Sequence, residues 1–284
     1  MTASTTEAND WALVLAAASI EHRVDERDGQ FALVVHAADA AAAGEALDAF
    51  DAEGAPEQPA PAPDLGWSPL GLLCAIGFAA MLLVSGTWDH GSIWFRVGSA
   101  SAERIMHGDW WRAVTALTLH ADLFHVVGNV VATLIFVSSV GRWLGGGLGA
   151  TLILLSATAG NLMTAVYHRT NHDSVGASTA TFAALGIIAG LQTVRRLTLR
   201  TRPGYWWVPL GAGLALFAMT GTMRGADYKA HLFGLGFGAL FGVGWAFAQL
   251  RRGWRTPRPL VQALLGAAAL GVVVASWLIA FRRA

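Results

Sequence analysis

The chain has 284 residues, 54% hydrophobic and only 13% charged; soluble domains carry about 25% charge, so most of this chain is not solvated by water. A net charge of zero hides a division: residues 1–66 hold 13 of the 19 acids against only Arg23 and Arg27, and the remainder holds 17 bases against 6 acids. The bases sit between apolar runs rather than in a patch, which argues against nucleic acid as a partner, and a single cysteine, Cys74, rules out an intramolecular disulfide or a cysteine-based metal site.

Residues 1–54 read as a small αββα unit, expected to be cytoplasmic. Trp11–Ile20 is apolar and Ala-rich, which suits a helix. It is short and follows acids, unlike a signal peptide. Asp28-Gly29 is a hairpin signal before the strand-like Phe31–Val35. Asp39 is placed to cap a helix running to Glu53. A unit this small buries little core, so it is marginally stable alone. Residues 55–66 are a Pro-rich, stiff linker.

The membrane domain, residues 67–284, carries seven apolar runs, near 69–87, 122–141, 147–166, 175–194, 206–222, 230–249 and 260–280. A helix needs roughly 20 residues to span the hydrocarbon core. The fifth run is the shortest and carries Gly211 and Gly213. The segment 88–121 holds Trp88, Trp94, Trp110 and Trp111, and suits half-immersion in the headgroup zone. Nine Arg mark the cytoplasmic side: Arg142; Arg195, Arg196, Arg200 and Arg202; Arg251, Arg252, Arg255 and Arg258. Arg282 and Arg283 run against this orientation.

Polar residues inside spans are costly and face the protein interior. His125 and Asn129 lie early in the second run, Ser178 in the fourth and His231 in the sixth. Even-numbered spans run the same way, so all four gather near one face, which the Arg count makes extracytoplasmic. A serine beside a neutral imidazole is the pattern of nucleophilic catalysis, with His231 as general base to Ser178. The oxyanion then needs aimed donors. Asn129, His125 and the Ser178 backbone amide can supply them. With no acid in view to orient His231, the reading is a dyad. Gly234, Gly238 and Gly242 repeat on the His231 face and permit close helix packing. Ala177, Ala180 and Ala184 are the expected counterparts on the fourth span.

Trp111-Arg112, His120, and His125-Val-Val-Gly-Asn129 resemble the first loop and second span of the rhomboid family. Gly176-Ala177-Ser178-Thr179 resembles its GxSG nucleophile motif, and Ala230-His231-Leu-Phe-Gly234 with Gly238 resembles the span that bears its base. The resemblance covers roughly residues 88–249. It implies an all-α polytopic fold with a rhomboid-like six-helix core, here with a seventh helix. It also implies cofactor-free cleavage of transmembrane protein substrates in the lipid bilayer, with the substrate helix unwinding at the outer face and entering between spans 2 and 5. Thr179 departs from the family's usual glycine, and a β-branched residue restricts the backbone beside the nucleophile.

Other classes fit less well. Histidines 107, 120, 168 and 172 hint at metal, but no HExxH is present, so no metal is expected. Asp227 does not stand in the GxGD of intramembrane aspartyl enzymes. His120 is a candidate to cap or orient the first loop. A catalytically inactive rhomboid-like protein that binds transmembrane clients is the alternative, and retention of both Ser178 and His231 argues against it. Nothing repeats between halves as in a transporter. The expected location is the inner (plasma) membrane. Since the site opens opposite the N-terminal unit, a protein starting near Leu65 is expected to keep its peptidase activity in detergent; a folded truncation without activity would show that residues 1–64 control the core directly.

Overall fold

The computed structural model describes residues 4–27, 29–52, 64–88, 91–199, 205–222, 226–253 and 255–284. Two compact units result, Met1–Ala60 and Pro61–Ala284.

The first unit runs α1 (Thr5–Ala17), β1 (His22–Arg27), β2 (Gln30–Val35) and α2 (Ala40–Ala52). Ser4 caps α1 by accepting from the Glu7 amide, which satisfies one of the donors left open at a helix start. The strands pair antiparallel from His22↔Val35 to Arg27↔Gln30. Gly29 turns between them at φ 74°, a conformation that costs glycine little. Asp39 lies within a 3-10 turn, Ala37–Asp39, that runs straight into α2, rather than standing outside the helix. Ala8, Leu15 and Ala43 form the buried centre.

The second unit opens on α3 (Leu70–Ser85). The Trp-rich segment then folds into α4 (Ile93–Gly98), β3 (Ala100–Ser101), α5 (Ala102–Met106) and α6 (Arg112–Thr115), which continues as a 3-10 turn through Thr118. Next come α7 (Leu123–Ala132), a π-helical turn at Thr133–Val137 and α8 (Ser138–Leu144), which form one helix. α9 (Gly146–His168), β4 (Asp173–Ser174), α10 (Ser178–Leu199) and α11 (Val208–Leu216) follow, the last ending in a π-helical turn at Phe217–Gly221. α12 (Tyr228–Arg252) and α13 (Pro259–Arg282) complete the unit. Leu123–Leu144, α9, α12 and α13 are long and apolar enough to cross a membrane; α3 and Val208–Gly221 are apolar but shorter.

α10 is the central element, packed on α9, α11 and above all α12. The contact is made backbone to backbone. A methyl at Gly234, Gly238 or Gly242 would run into the carbonyls of Thr179, Ala183 or Ile187, and one at Gly186 or Gly190 into those of Leu235 or Ala239. The glycine ladder therefore meets Thr179, Ala183 and Ile187, not the expected alanines. Ala180 and Ala184 turn instead toward a cluster with Val137, Leu144 and Ile153. Helix periodicity fixes the face of a ladder but not the register of its partner.

The connecting segments are tied down by polar side chains. The Arg112 guanidinium, 6% exposed, donates to Asp109 and to the carbonyls of Ser99 and Arg96. Gln262 of α13 bridges the α8–α9 turn, donating to Leu144 O and accepting from Leu148 N, both at 2.8 Å. At the other end of α13, Trp277 donates to Thr118 Oγ1 at 3.1 Å. Most of the linker lies outside the described residues, but its last part is anchored: Asp64 pairs with Arg142, and Leu65 N donates to Arg142 O.

The backbone contact gives a direct test of α10–α12 packing. Gly238→Ala pushes a methyl into the Ala183 carbonyl and is expected to cost about 1–3 kcal/mol, read by denaturant titration in mild detergent. Gly236→Ala, where nothing lies within 4 Å, should be neutral or slightly stabilising, because alanine is the better helix former.

Candidate active site

Ser178 is the first residue of α10. Its N–H is among those a helix start leaves without an intrahelical acceptor, at the positive end of the helix dipole. The chain reaches it through Gly176 at φ 133°, where a Cβ would lie 2.6 Å from His125 Nε2 and 3.5 Å from Ser178 Oγ. Only glycine satisfies both that backbone and that space. Gly176 N donates to Ala116 O at 2.9 Å, β3 pairs with β4, and Ala102 N donates to His172 O. These bonds pin the segment before Ser178 to the loop that follows α3.

His231 lies in the first turn of α12 and is 5% exposed. Its Nε2 stands 2.7 Å from Ser178 Oγ and its Nδ1 2.9 Å from the carbonyl oxygen of Gly221. The ring stacks on Phe182, centroids 4.7 Å apart at 28°. Phe182 is one turn beyond Ser178, so α10 supplies both the hydroxyl and the face against which the imidazole rests.

His125 and Asn129 are one turn apart in α7, hence on one face. Asp122 caps α7 by accepting from His125 N at 2.8 Å. His125 touches the space at Gly176 that Ser178 also borders. Asn129 is buried, and its Nδ2 has no hydrogen-bond partner among the described residues. A buried amide donor left open is costly unless a ligand completes it. A small polar pocket beside Ser178 is bordered by Asn161, Ser174, Gly176, Asp227 and Ala230.

Thr179 is accommodated. It is 3% exposed, and its Cγ2 fills the space that Gly160 of α9 and Gly234 of α12 leave open, 3.0 Å from where either Cβ would stand. The backbone beside Ser178 is already helical, which suits a threonine. His120 packs in the interior between Phe78 and His125. Burial, and His125 beside it, push its imidazole down to about 4, so it is neutral at pH 7.

Sequence reasoning passed over three contributors. A backbone carbonyl such as Gly221 O has no signature in a sequence. Phe182 was detectable from its i+4 spacing to Ser178. Asp227 is the third, and it stands in no GxGD motif. It caps α12 instead, accepting from Ala230 N at 3.1 Å and from His172 Nε2 at 2.8 Å, and the short spacing from Asp227 to Ala230 is the capping signal. His172 in turn stacks on His168, 3.9 Å apart at 4°.

Residues 107–249 match the model of the Rhomboid domain. YdcA of Bacillus subtilis (strain 168) is 28% identical over 131 residues, 46% of this chain and 65% of that one. The rhomboid protease GluP of the same organism is 30% identical over 105 residues, 37% of this chain and 20% of that one. Rhomboid-like protease 1 of Toxoplasma gondii is 30% identical over 173 residues, 60% and 57% of the two chains. The match thus spans less than two thirds of each relative. With four membrane-length apolar helices among the described residues, the chain is an integral, multi-pass membrane protein.

The Asp227–His172 pair ties the loop before Ser178 to the helix that bears His231. Burial raises the Asp227 carboxyl, but the bonds from His172 and Ala230 outweigh it, and the net position is below the ordinary 3.8. A carboxyl depressed in the folded state stabilises fully above its unfolded value and loses that contribution as pH falls through the folded one. Asp227→Asn is therefore expected to lower the melting temperature at pH 7, by an amount that shrinks as the pH is taken below 3.8. An unchanged melting temperature at pH 7 would show that the pair adds nothing.

Proposed function

This chain belongs to the rhomboid family, and we propose that it is an intramembrane serine endopeptidase that cuts transmembrane segments of membrane proteins with a Ser178–His231 dyad. The observation that carries the reading is the 2.7 Å approach of Ser178 Oγ to His231 Nε2, with the imidazole buried, stacked and bonded on its far nitrogen.

The chemistry follows from that arrangement. His231 takes the proton of Ser178 as Oγ attacks the scissile carbonyl. Negative charge then builds on the substrate oxygen, where the Ser178 amide, Asn129 and His125 donate. His231 returns the proton to the leaving nitrogen as the C–N bond breaks. Water, deprotonated by the same imidazole, hydrolyses the acyl-enzyme and releases Ser178. Every step uses groups of this chain and water, without a cofactor.

We read seven membrane spans: α3, the α7–α8 helix, α9, α10, α11 with its π turn, α12 and α13. The α7–α8 helix, α10 and α12 begin on one face. Their N-terminal turns hold His125, Asn129, Ser178 and His231, with His231 about 5 Å deeper than the start of α12 at 1.5 Å per residue. The Arg distribution makes that face extracytoplasmic, with residues 1–54 in the cytoplasm. Substrates are then single-pass proteins cut close to the outer surface. Irregular backbone is tolerable there because the polar cavity satisfies it. The names of the relatives, protease among them, support a hydrolase.

Labelling with a fluorophosphonate probe tests the reading. Wild type is expected to label, and Ser178→Ala and His231→Ala to lose both labelling and cleavage of a transmembrane substrate. Because nucleophile and base act as a unit, the double variant should match either single one. Substantial cleavage by folded Ser178→Ala would end the assignment.

A further inference from the structure

We propose that the main-chain carbonyl of Gly221 is the orienting member of the catalytic set, so that the last turn of α11 decides whether His231 can act as a base. The inference rests on the hydrolase reading and deepens it.

A neutral imidazole carries one N–H, and the other nitrogen accepts. To receive the proton of Ser178, Nε2 must be bare and the proton must sit on Nδ1. A carbonyl oxygen can only accept. With Gly221 O at 2.9 Å from Nδ1, the Nδ1–H tautomer forms a buried hydrogen bond. The alternative tautomer sets two lone pairs against each other and leaves a buried acceptor unsatisfied. The carbonyl therefore selects the form that is competent as a base. The same bond persists when His231 becomes imidazolium and strengthens with the charge. A carboxylate performs this duty in a serine triad.

The fold explains why this oxygen is available and where it is held. Gly221 ends the π-helical turn Phe217–Gly221, and the final carbonyls of a helix lack intrahelical donors. Gly221 is buried, and a Cβ there would lie 2.7 Å from Phe217 Cδ2 and 2.9 Å from Phe182 Cζ. Phe182 meets Phe217 edge-on at 5.8 Å while stacking on His231. One line of rings thus sets both the imidazole and the turn that presents its acceptor. The rest of α11 is lightly held. Between Val208 and Gly221 only Gly213 and Gly221 are buried. A displacement of this turn by about 1 Å stretches the Nδ1 bond beyond hydrogen-bonding range, and α10 and α12 need not move.

Two measurements on the full-length protein in detergent decide it. Long-range ¹H–¹⁵N spectra of the histidine-labelled protein, with His231 assigned by substitution, are expected to show the proton on Nδ1. Gly221→Ala has no backbone obstacle but crowds Phe217 and Phe182. It is expected to label with fluorophosphonate about 10- to 100-fold more slowly than wild type, less than the ~10⁴ that follows loss of an orienting carboxylate, with the His231 proton no longer confined to Nδ1. Adding Phe217→Ala makes room and should label faster than Gly221→Ala alone. Wild-type labelling that depends on Ser178 upholds the hydrolase reading whatever the variants do; its absence removes both. The proposal alone is overturned by a wild-type proton on Nε2, by Gly221→Ala labelling at the wild-type rate, or by slowed labelling with the proton still on Nδ1. Should Gly221→Ala not fold, the wild-type tautomer still decides.

Discussion

The backbone contact between α10 and α12 is the constraint on which the site depends. Lipid tails are as apolar as the helices they surround, so spans gain little from hiding apolar side chains from one another and must associate through close packing. Here five glycines, three from α12 and two from α10, bring the helices carbonyl to Cα over three turns. That approach carries His231 to Ser178. It also leaves the hollow at Gly160 and Gly234 that Thr179 fills. Thr179, beside Ser178, is thus part of the helix packing, and its branching suits the hollow.

A second constraint acts on everything that is not helix. At membrane depth an unpaired backbone group costs several kcal/mol, so the segment leading to Ser178 has to be satisfied from within the protein. The loop after α3 does this. Its Ala116 carbonyl receives Gly176 N, its Ala100 and Ser101 pair with Ser174 and Asp173, and its Ala102 amide donates to His172. Arg112 then holds that loop by its own carbonyls, and Trp277 of α13 bonds to Thr118. The buried arginine of residues 88–121 thus helps to hold the backbone that leads to Ser178.

This division explains what could be seen in the sequence. Runs of apolar residues announce membrane helices, and the parity of spans places their polar residues on a common face; His125, Asn129, Ser178 and His231 were legible for that reason. The Ser178–His231 contact was legible through the glycine repeat. What the repeat could not give was the register of the opposing helix, since alternative small residues stand on α10. Asp227 illustrates a different loss. Outside any GxGD motif it carries no signal of a catalytic role, and its actual work, capping α12 and holding His172, depends on a loop far away in sequence. Gly221 was illegible because the functional atom belongs to the backbone, and any residue has a carbonyl there. Only the crowding around it, by Phe182 and Phe217, demands glycine.

For the proposed dyad, a carbonyl in place of an orienting acid makes physical sense in a buried site. A carboxylate beside His231 would have to be stripped of water, at an effective penalty of several kcal/mol even when paired. It would hold the imidazole as a buried ion pair before any substrate arrived. The Gly221 carbonyl fixes the tautomer with a dipole and needs no charge in the resting state. The cost falls on the imidazolium that forms during the reaction, which a dipole stabilises less than a full charge does. The Asp227 carboxylate stands one turn nearer the end of α12, where it meets the helix N-terminus and His172. In the proposed mechanism the acid is thus kept where its charge is satisfied, and the base is oriented by a group that carries none.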